Sequence, residues 1–334
     1  MEQNLTRIFT LFGGLALFLY GMDALSHSLE TAAGSRLKSL LAAVTGSPMR
    51  GVLAGAAVTA VLQSSSAVTV MVLGFVSTGL LTLRQAVPVI FGCNIGTTIT
   101  AQLLAFRLED VRGLVLLAGL LLCFVCTRRK ARAIGRAVFA FGLLFEGIAD
   151  MGTAMEPLAQ SPVFVHWLGR VRQHPWLGLL AGLGMTLTVQ SSSATIALLQ
   201  NFAARPGLDG SSLLGLACLL YTSDAALPVL LGDNIGTTIT AVLASLSANR
   251  DAKRVAAAHA VFNLTGAAVF CAGLPLYVRL TAALSPKGPE LAVIARQIAN
   301  AHTLFNVVCT LVWLPLTPLM VRFVCRLVPD RAVR

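Results

Sequence analysis

Charge is scarce in this chain: 12% of its 334 residues are charged and 56% are hydrophobic. That balance leaves too little polar surface for a soluble globule and points to an integral membrane protein. No segment longer than a loop loses its apolar character, so no soluble domain is expected. A leader cleavage site is lacking as well. Residues 8–25 read IFTLFGGLALFLYGMDAL with no small-residue site followed by a polar mature chain, which marks a first membrane span. The seven cysteines lack any spaced framework, and the Cys123/Cys126 pair has no histidine or second pair nearby to complete a zinc site.

What charge there is carries a formal excess of +11. The basic residues sit in short turns between apolar runs, densest at RRKARAIGR (128–136), as expected for loops held on the cytoplasmic side rather than for a nucleic-acid surface. Self-comparison is more informative. VLQSSSAVTVMVL (61–73) matches TVQSSSATIALLQ (188–200) at an offset of 127, and VPVIFGCNIGTTITAQLLA (87–105) matches LPVLLGDNIGTTITAVLAS (227–245) at an offset of 140. Upstream, LALFLYGMDAL (15–25) aligns more weakly with FGLLFEGIADM (141–151). The expected architecture is therefore an all-α membrane protein of two repeats, 1–128 and 129–334, with further C-terminal helices in the second.

The arms flanking QSSS are shorter than the ~20 residues a span requires. Re-entrant helical hairpins at about 48–83 and 175–204, each with its polar tip at mid-membrane, fit these lengths. Loop charge orients them. The turn RLEDVR (107–112) is neutral, whereas its counterpart RDAKR (250–254) carries +2. Placing 128–136, 250–254 and the arginine-bearing tail inside makes the repeats inverted, with the N-terminus outside and the C-terminus cytoplasmic.

Buried hydroxyls need a reason. Helix N-termini bearing Ser64, Ser65, Ser66 and Ser191, Ser192, Ser193 would cradle an anion through hydroxyls, free N–H groups and helix dipoles. The NIGTT segments read as broken helices, with Pro88 and Pro228 removing a hydrogen bond and Gly92/Gly96 and Gly232/Gly236 loosening the turn. Asn94, Thr97, Thr98 and Asn234, Thr237, Thr238 then offer neutral oxygens suited to an alkali ion. One SSS would be a packing motif. Two identical copies, each followed by NIGTTITA, favour a site.

The paired QSSS motifs, each followed by G-x-N-I-G-T-T, resemble the type II sodium-phosphate cotransporter family over nearly the whole chain. The resemblance implies symport of inorganic phosphate across the cell (inner) membrane by alternating access, with Na+ as coupling ion, no other cofactor and no enzymatic activity. It places phosphate on the six serines and sodium near Gln63, Gln190, Asn94, Thr97, Thr98, Asn234, Thr237 and Thr238. HAVFN (259–263) and HTLFN (302–306) resemble the family's later helices, and their histidines read as packing residues rather than proton carriers. A homodimer would suit a fixed scaffold, and any cytoplasmic regulator would be a separate protein.

Cys93 stands where the second copy has Asp233, an intramembrane acid that either ligates sodium or pairs with a basic residue. Asp224 raises the same question. The rival readings are a carrier of another anion, a proton-coupled carrier, a sensor or efflux pathway, and an intramembrane serine hydrolase.

Overall fold

The structure, a computed structural model, describes residues 2–33, 47–106, 111–159, 166, 170, 171, 173–204 and 213–330, with the side chains of 213–224 and of a few helix ends excepted. Asp224 thus lies outside the described side chains. The described residues form helices α1 (Glu2–Ala33), α2 (Pro48–Leu62), α3 (Ser65–Ser77), α4 (Leu83–Leu104), α5 (Arg112–Val125), α6 (Arg129–Ala159), α7 (Pro175–Val189), α8 (Ser192–Ala203), α9 (Leu213–Gly236), α10 (Thr238–Ser245), α11 (Arg250–Ala272), α12 (Leu274–Leu284), α13 (Glu290–Trp313) and α14 (Thr317–Leu327). Among the described residues five stretches are long and apolar enough to cross a membrane: 5–33, 83–104, 129–155, 225–245 and 250–272. A sixth crossing is available if α13 and α14, bent by 88°, count as one.

Local chemistry sets the boundaries. Ser47 caps α2 by accepting from the Arg50 N–H, with Pro48 at the first helical position. Thr82 and Gln85 close a capping box on α4, and Asn249 caps α11 with Asp251 in the first turn. At about 1.5 Å per residue, α2 (15 residues) and α3 (13 residues) each fall short of a ~30 Å hydrocarbon core. The same shortfall holds for α7 and α8, with 15 and 12 residues.

Lipid tails are as apolar as leucine, so helices in a membrane associate by close packing more than by a hydrophobic drive. The repeats use one device twice. A Cβ on Gly55 of α2 would sit 2.1 Å from the Val89 carbonyl oxygen, and one on Gly92 of α4 would sit 2.0 Å from that of Val52. In the second repeat Gly182 meets the Val229 carbonyl oxygen at 1.9 Å and Gly232 meets that of Leu179 at 1.9 Å. These pairs stand at the 127 and 140 offsets, so the repetition extends to the backbone contact between helices. Helices α1 and α6 pack the same way, Gly14 against Gly147.

The NIGTT helices differ from expectation. Helix α4 runs unbroken from Leu83 to Leu104, and the second copy is interrupted only at Thr237, whose backbone stays helical. The glycines are consumed in close approach to α2 and α7 rather than in unwinding. The threonine hydroxyls return to their own helix, Thr97 to the Cys93 carbonyl (3.0 Å), Thr98 to Ile95 (2.7 Å), Thr237 to Asp233 (2.9 Å) and Thr238 to Ile235 (2.7 Å).

Hydrogen bonds fix which ends lie together. Asn249, before α11, donates to the Val76 and Ser77 carbonyls at the end of α3. Arg254 donates to the Val328 carbonyl and to Asp330, which brings the C-terminal segment to that same end. Gln200 near the end of α8 donates instead to the Ala101 carbonyl at the far end of α4. Helix α4 starts beside the end of α3 and finishes beside the end of α8, so the two short-helix pairs enter from opposite ends with their tips between.

Candidate functional site

Each tip is a two-residue break made the same way. Gln63 and Gln190 end α2 and α7 at φ 54, the two non-glycine residues with positive φ among those described. A left-handed conformation costs an L-residue roughly 1–2 kcal/mol, strain that clusters at functional sites. The next residues, Ser64 and Ser191, are extended and cap α3 and α8, their hydroxyls accepting from the Ala67 and Ala194 N–H groups at 3.2 Å. The left-handed glutamine thus lets a new helix begin with only two residues between it and the old one. The first N–H groups of both new helices are left directed at the tip.

The two tips face one cavity of about 160 Å³, lined by Gln63 to Ser66, by Gln190 to Ser193, and by Met22, Asp23 and Ser26 of α1. That is ample space for one small tetrahedral oxyanion with accompanying water. Two helix N-termini at about +0.5 charge each supply roughly one positive charge without a basic side chain. All six serines singled out from the sequence, with both glutamines, meet at this cavity. Sequence reasoning missed the α1 wall. Its signal was available, since Asp23 is a carboxylate within an apolar span.

The tips are not equivalent. Gln63 is buried, its Oε1 accepting from the Thr100 hydroxyl at 3.0 Å and its amide donating to the Ala60 carbonyl. Gln190 is exposed. Thr240, the counterpart of Thr100, donates instead to the Ser66 hydroxyl at 3.2 Å, across to the other repeat.

The NIGTT side chains stand behind the tips. Asn94 Oδ1 lies 2.9 Å from His259 Nε2, and Asn234 Oδ1 lies 3.2 Å from His302 Nε2. Each histidine carbonyl in turn accepts from an asparagine one turn on, Asn263 at 3.0 Å and Asn306 at 2.9 Å. The two H-x-x-F-N segments thus clasp the two NIGTT helices, and all four of these residues are buried. Helix-packing histidines are what the sequence suggested, and this is how they are placed. Phe91 stacks on Phe262 beside the first clasp, ring centroids 5.0 Å apart.

Asp233 is fully buried next to Thr186, whose hydroxyl lies 2.6 Å from Oδ1 and 3.0 Å from the Thr195 hydroxyl. Its second oxygen has no hydrogen-bond partner among the described residues. A basic partner, one of the two roles open to it from sequence, is not found for it among those residues. Thr195 also donates to the Ser191 carbonyl at 3.3 Å, which connects the acid to the second tip.

A family profile described as Na+/Pi-cotransporter matches the chain twice, over residues 17–153 and 147–283. The chain is 34% identical over 278 residues to the uncharacterized protein YqeW of Bacillus subtilis, covering 83% of this chain and 85% of that one. It is 26% identical over 289 residues to the putative inorganic phosphate export protein YjbB of Escherichia coli, covering 85% of this chain and 50% of the relative, so it spans about half of that protein's length. Against the human sodium-dependent phosphate transport protein 2B it is 36% identical over 105 residues, 31% of this chain and 15% of that one. No solved structure gives a significant match.

Proposed function

Since the chain belongs to the Na+/Pi-cotransporter family, we propose that it moves inorganic phosphate across the cell membrane coupled to sodium, by alternating access about the tip cavity. The observation that carries this reading is the convergence of both QSSS tips on one cavity of about 160 Å³. Phosphate sits between the N-termini of α3 and α8. Hydroxyls of Ser64, Ser65, Ser66, Ser191, Ser192 and Ser193 and the free helix N–H groups complete the oxyanion's hydrogen bonds. The two short-helix pairs act as re-entrant hairpins of the inverted halves, divided near residue 128, and the loaded unit moves relative to a scaffold.

Sodium binds beside the tips, where Gln63 and Gln190 present amide oxygens, with the Asp233–Thr186 group behind the second tip as a further oxygen cluster. Asn94, Thr97, Thr98, Asn234, Thr237 and Thr238 are engaged inside the protein, so their part is to hold the helices that carry the tips. The threonine hydroxyls give their protons to carbonyls of their own helices and keep oxygen lone pairs that a sodium ion can share. The inequivalent glutamines suit alternating access: one tip is latched by Thr100 while the other stands open, and exchange of the latch between repeats is the motion proposed.

Direction of flux depends on gradients and coupling rather than on the motif, and the Escherichia coli relative's name favours a second reading, export of phosphate. A hydrolase reading loses support because His259 and His302 face Asn94 and Asn234 rather than a tip serine. The test is uptake of radiolabelled phosphate into proteoliposomes under an inward sodium gradient, then an outward one. Flux that is unchanged when choline replaces sodium refutes the coupling, and sulfate moving as fast as phosphate refutes the substrate.

A further inference from the structure

The tip cavity has one charged wall. Asp23 and Ser26 lie one helical turn apart on α1, so their side chains share a face, and both line the cavity. Met22 and Leu25 turn into the packing between α1 and α6, while Asp23 is exposed. Among the described residues no lysine, arginine or histidine lines this cavity, and the ion pairs are Arg112 with Glu146 and Arg254 with Asp251 and Asp330, leaving Asp23 without a basic partner among them.

A carboxylate beside an anion cradle opposes the anion it faces. Hydroxyls and helix N-termini attract phosphate, yet a fixed negative charge across a cavity this small repels it. A hard cation between the two reverses the sign. It would take oxygens from the carboxylate, from Ser26 and from the phosphate itself, an all-oxygen set of the kind that holds alkali and alkaline-earth ions. We propose that Asp23, supported by Ser26, is a cation-binding residue of the tip site, holding one sodium ion against the bound phosphate. The inference rests on the phosphate-transport reading and deepens it: phosphate enters productively only after the cation does.

The repeat bears on the number of such ions. At the offset of 126 the counterpart of Asp23 is Ala149, and no described side chain of α6 lines the cavity. The α1 wall therefore adds one cation per phosphate, in addition to whatever the pseudo-symmetric tip residues bind.

Wild-type protein, Asp23→Asn and Asp23→Glu in proteoliposomes test this, with initial phosphate uptake measured against sodium at saturating phosphate and against phosphate at saturating sodium. Direct binding of radiolabelled sodium to the purified protein in the presence of inorganic phosphate is the second readout, and lithium and potassium replace sodium in parallel. The near-isosteric Asp23→Asn is expected to raise the half-saturating sodium about tenfold and to lower bound sodium. Asp23→Glu, which restores the charge, is expected to recover part of both. A sodium curve that stays in place in Asp23→Asn, or a loss of maximal rate shared equally by Asn and Glu with the sodium curve unmoved, overturns the proposal and leaves the transport reading intact. Wild-type flux that is absent or indifferent to sodium overturns the transport reading and this site together.

Discussion

Replacing Gly182 with alanine tests whether the short helices position the tips. The added Cβ would lie 1.9 Å from the Val229 carbonyl oxygen, where real Cβ atoms keep at least about 3.0 Å, so α7 and α9 must separate by about 1.1 Å. The obstacle is backbone on both sides, and no rotamer change relieves it. Overpacking of this kind costs roughly 1–3 kcal/mol. Gln190 lies eight residues further along α7, about 12 Å, so a rigid helix carries much of the displacement to the tip. Gly55→Ala does the same to the first tip, from 2.1 Å. Gly184→Ala and Gly74→Ala are the controls: the first lies on α7 itself, the second on α3, and a Cβ at either meets nothing within 4 Å. Thermal unfolding in detergent and phosphate flux in proteoliposomes read the result. Gly182→Ala and Gly55→Ala should lower both the melting temperature and the apparent phosphate affinity, while the controls change neither or stabilise by up to ~1 kcal/mol. If Gly182→Ala and Gly184→Ala behave alike, the close approach does not position the site.

Three further outcomes follow from the geometry. Ser64→Ala and Ser191→Ala each remove a helix cap worth ~1 kcal/mol and one cavity hydroxyl, so phosphate half-saturation should rise more than stability falls; Ser64→Thr, which keeps the cap, should retain most stability. Asp233→Asn keeps the bond to Thr186 and removes the ionisable carboxyl, so a changed sodium dependence with unchanged melting temperature supports a role in coupling, whereas unchanged sodium dependence assigns the acid to structure. Arg254→Gln breaks the tie to Asp330 and the Val328 carbonyl, so limited proteolysis of intact vesicles should cut the C-terminal segment faster than in wild type, with phosphate flux nearly unchanged.

Much of the site was legible in advance because repetition is a local property. QSSS at 63–66 and 190–193 needed only self-comparison, and serines at helix N-termini follow from residues adjacent in sequence, whereas the left-handed glutamines came from the structure. The NIGTT reading shows the limit. Proline and glycine there predicted a break, yet the same glycines were needed where α4 and α9 approach α2 and α7, and the threonines satisfied themselves within the helix. A residue type has several physical uses, and only the neighbouring helix selects among them.

The sequence by itself determined that this is a membrane protein, that it is built twice, and that each half ends a short helix in a hydroxyl-rich tip. Those properties depend on composition, period and nearest neighbours. The sequence anticipated one site built from both tips; tertiary structure alone decided that Asp23 and Ser26 form a third wall of the cavity, that His259 and His302 clasp Asn94 and Asn234, and that Gln63 is latched while Gln190 is exposed. Each of these sets residues more than thirty positions apart against one another, and which helix faces meet is settled by the packing of the whole chain rather than by any segment of it.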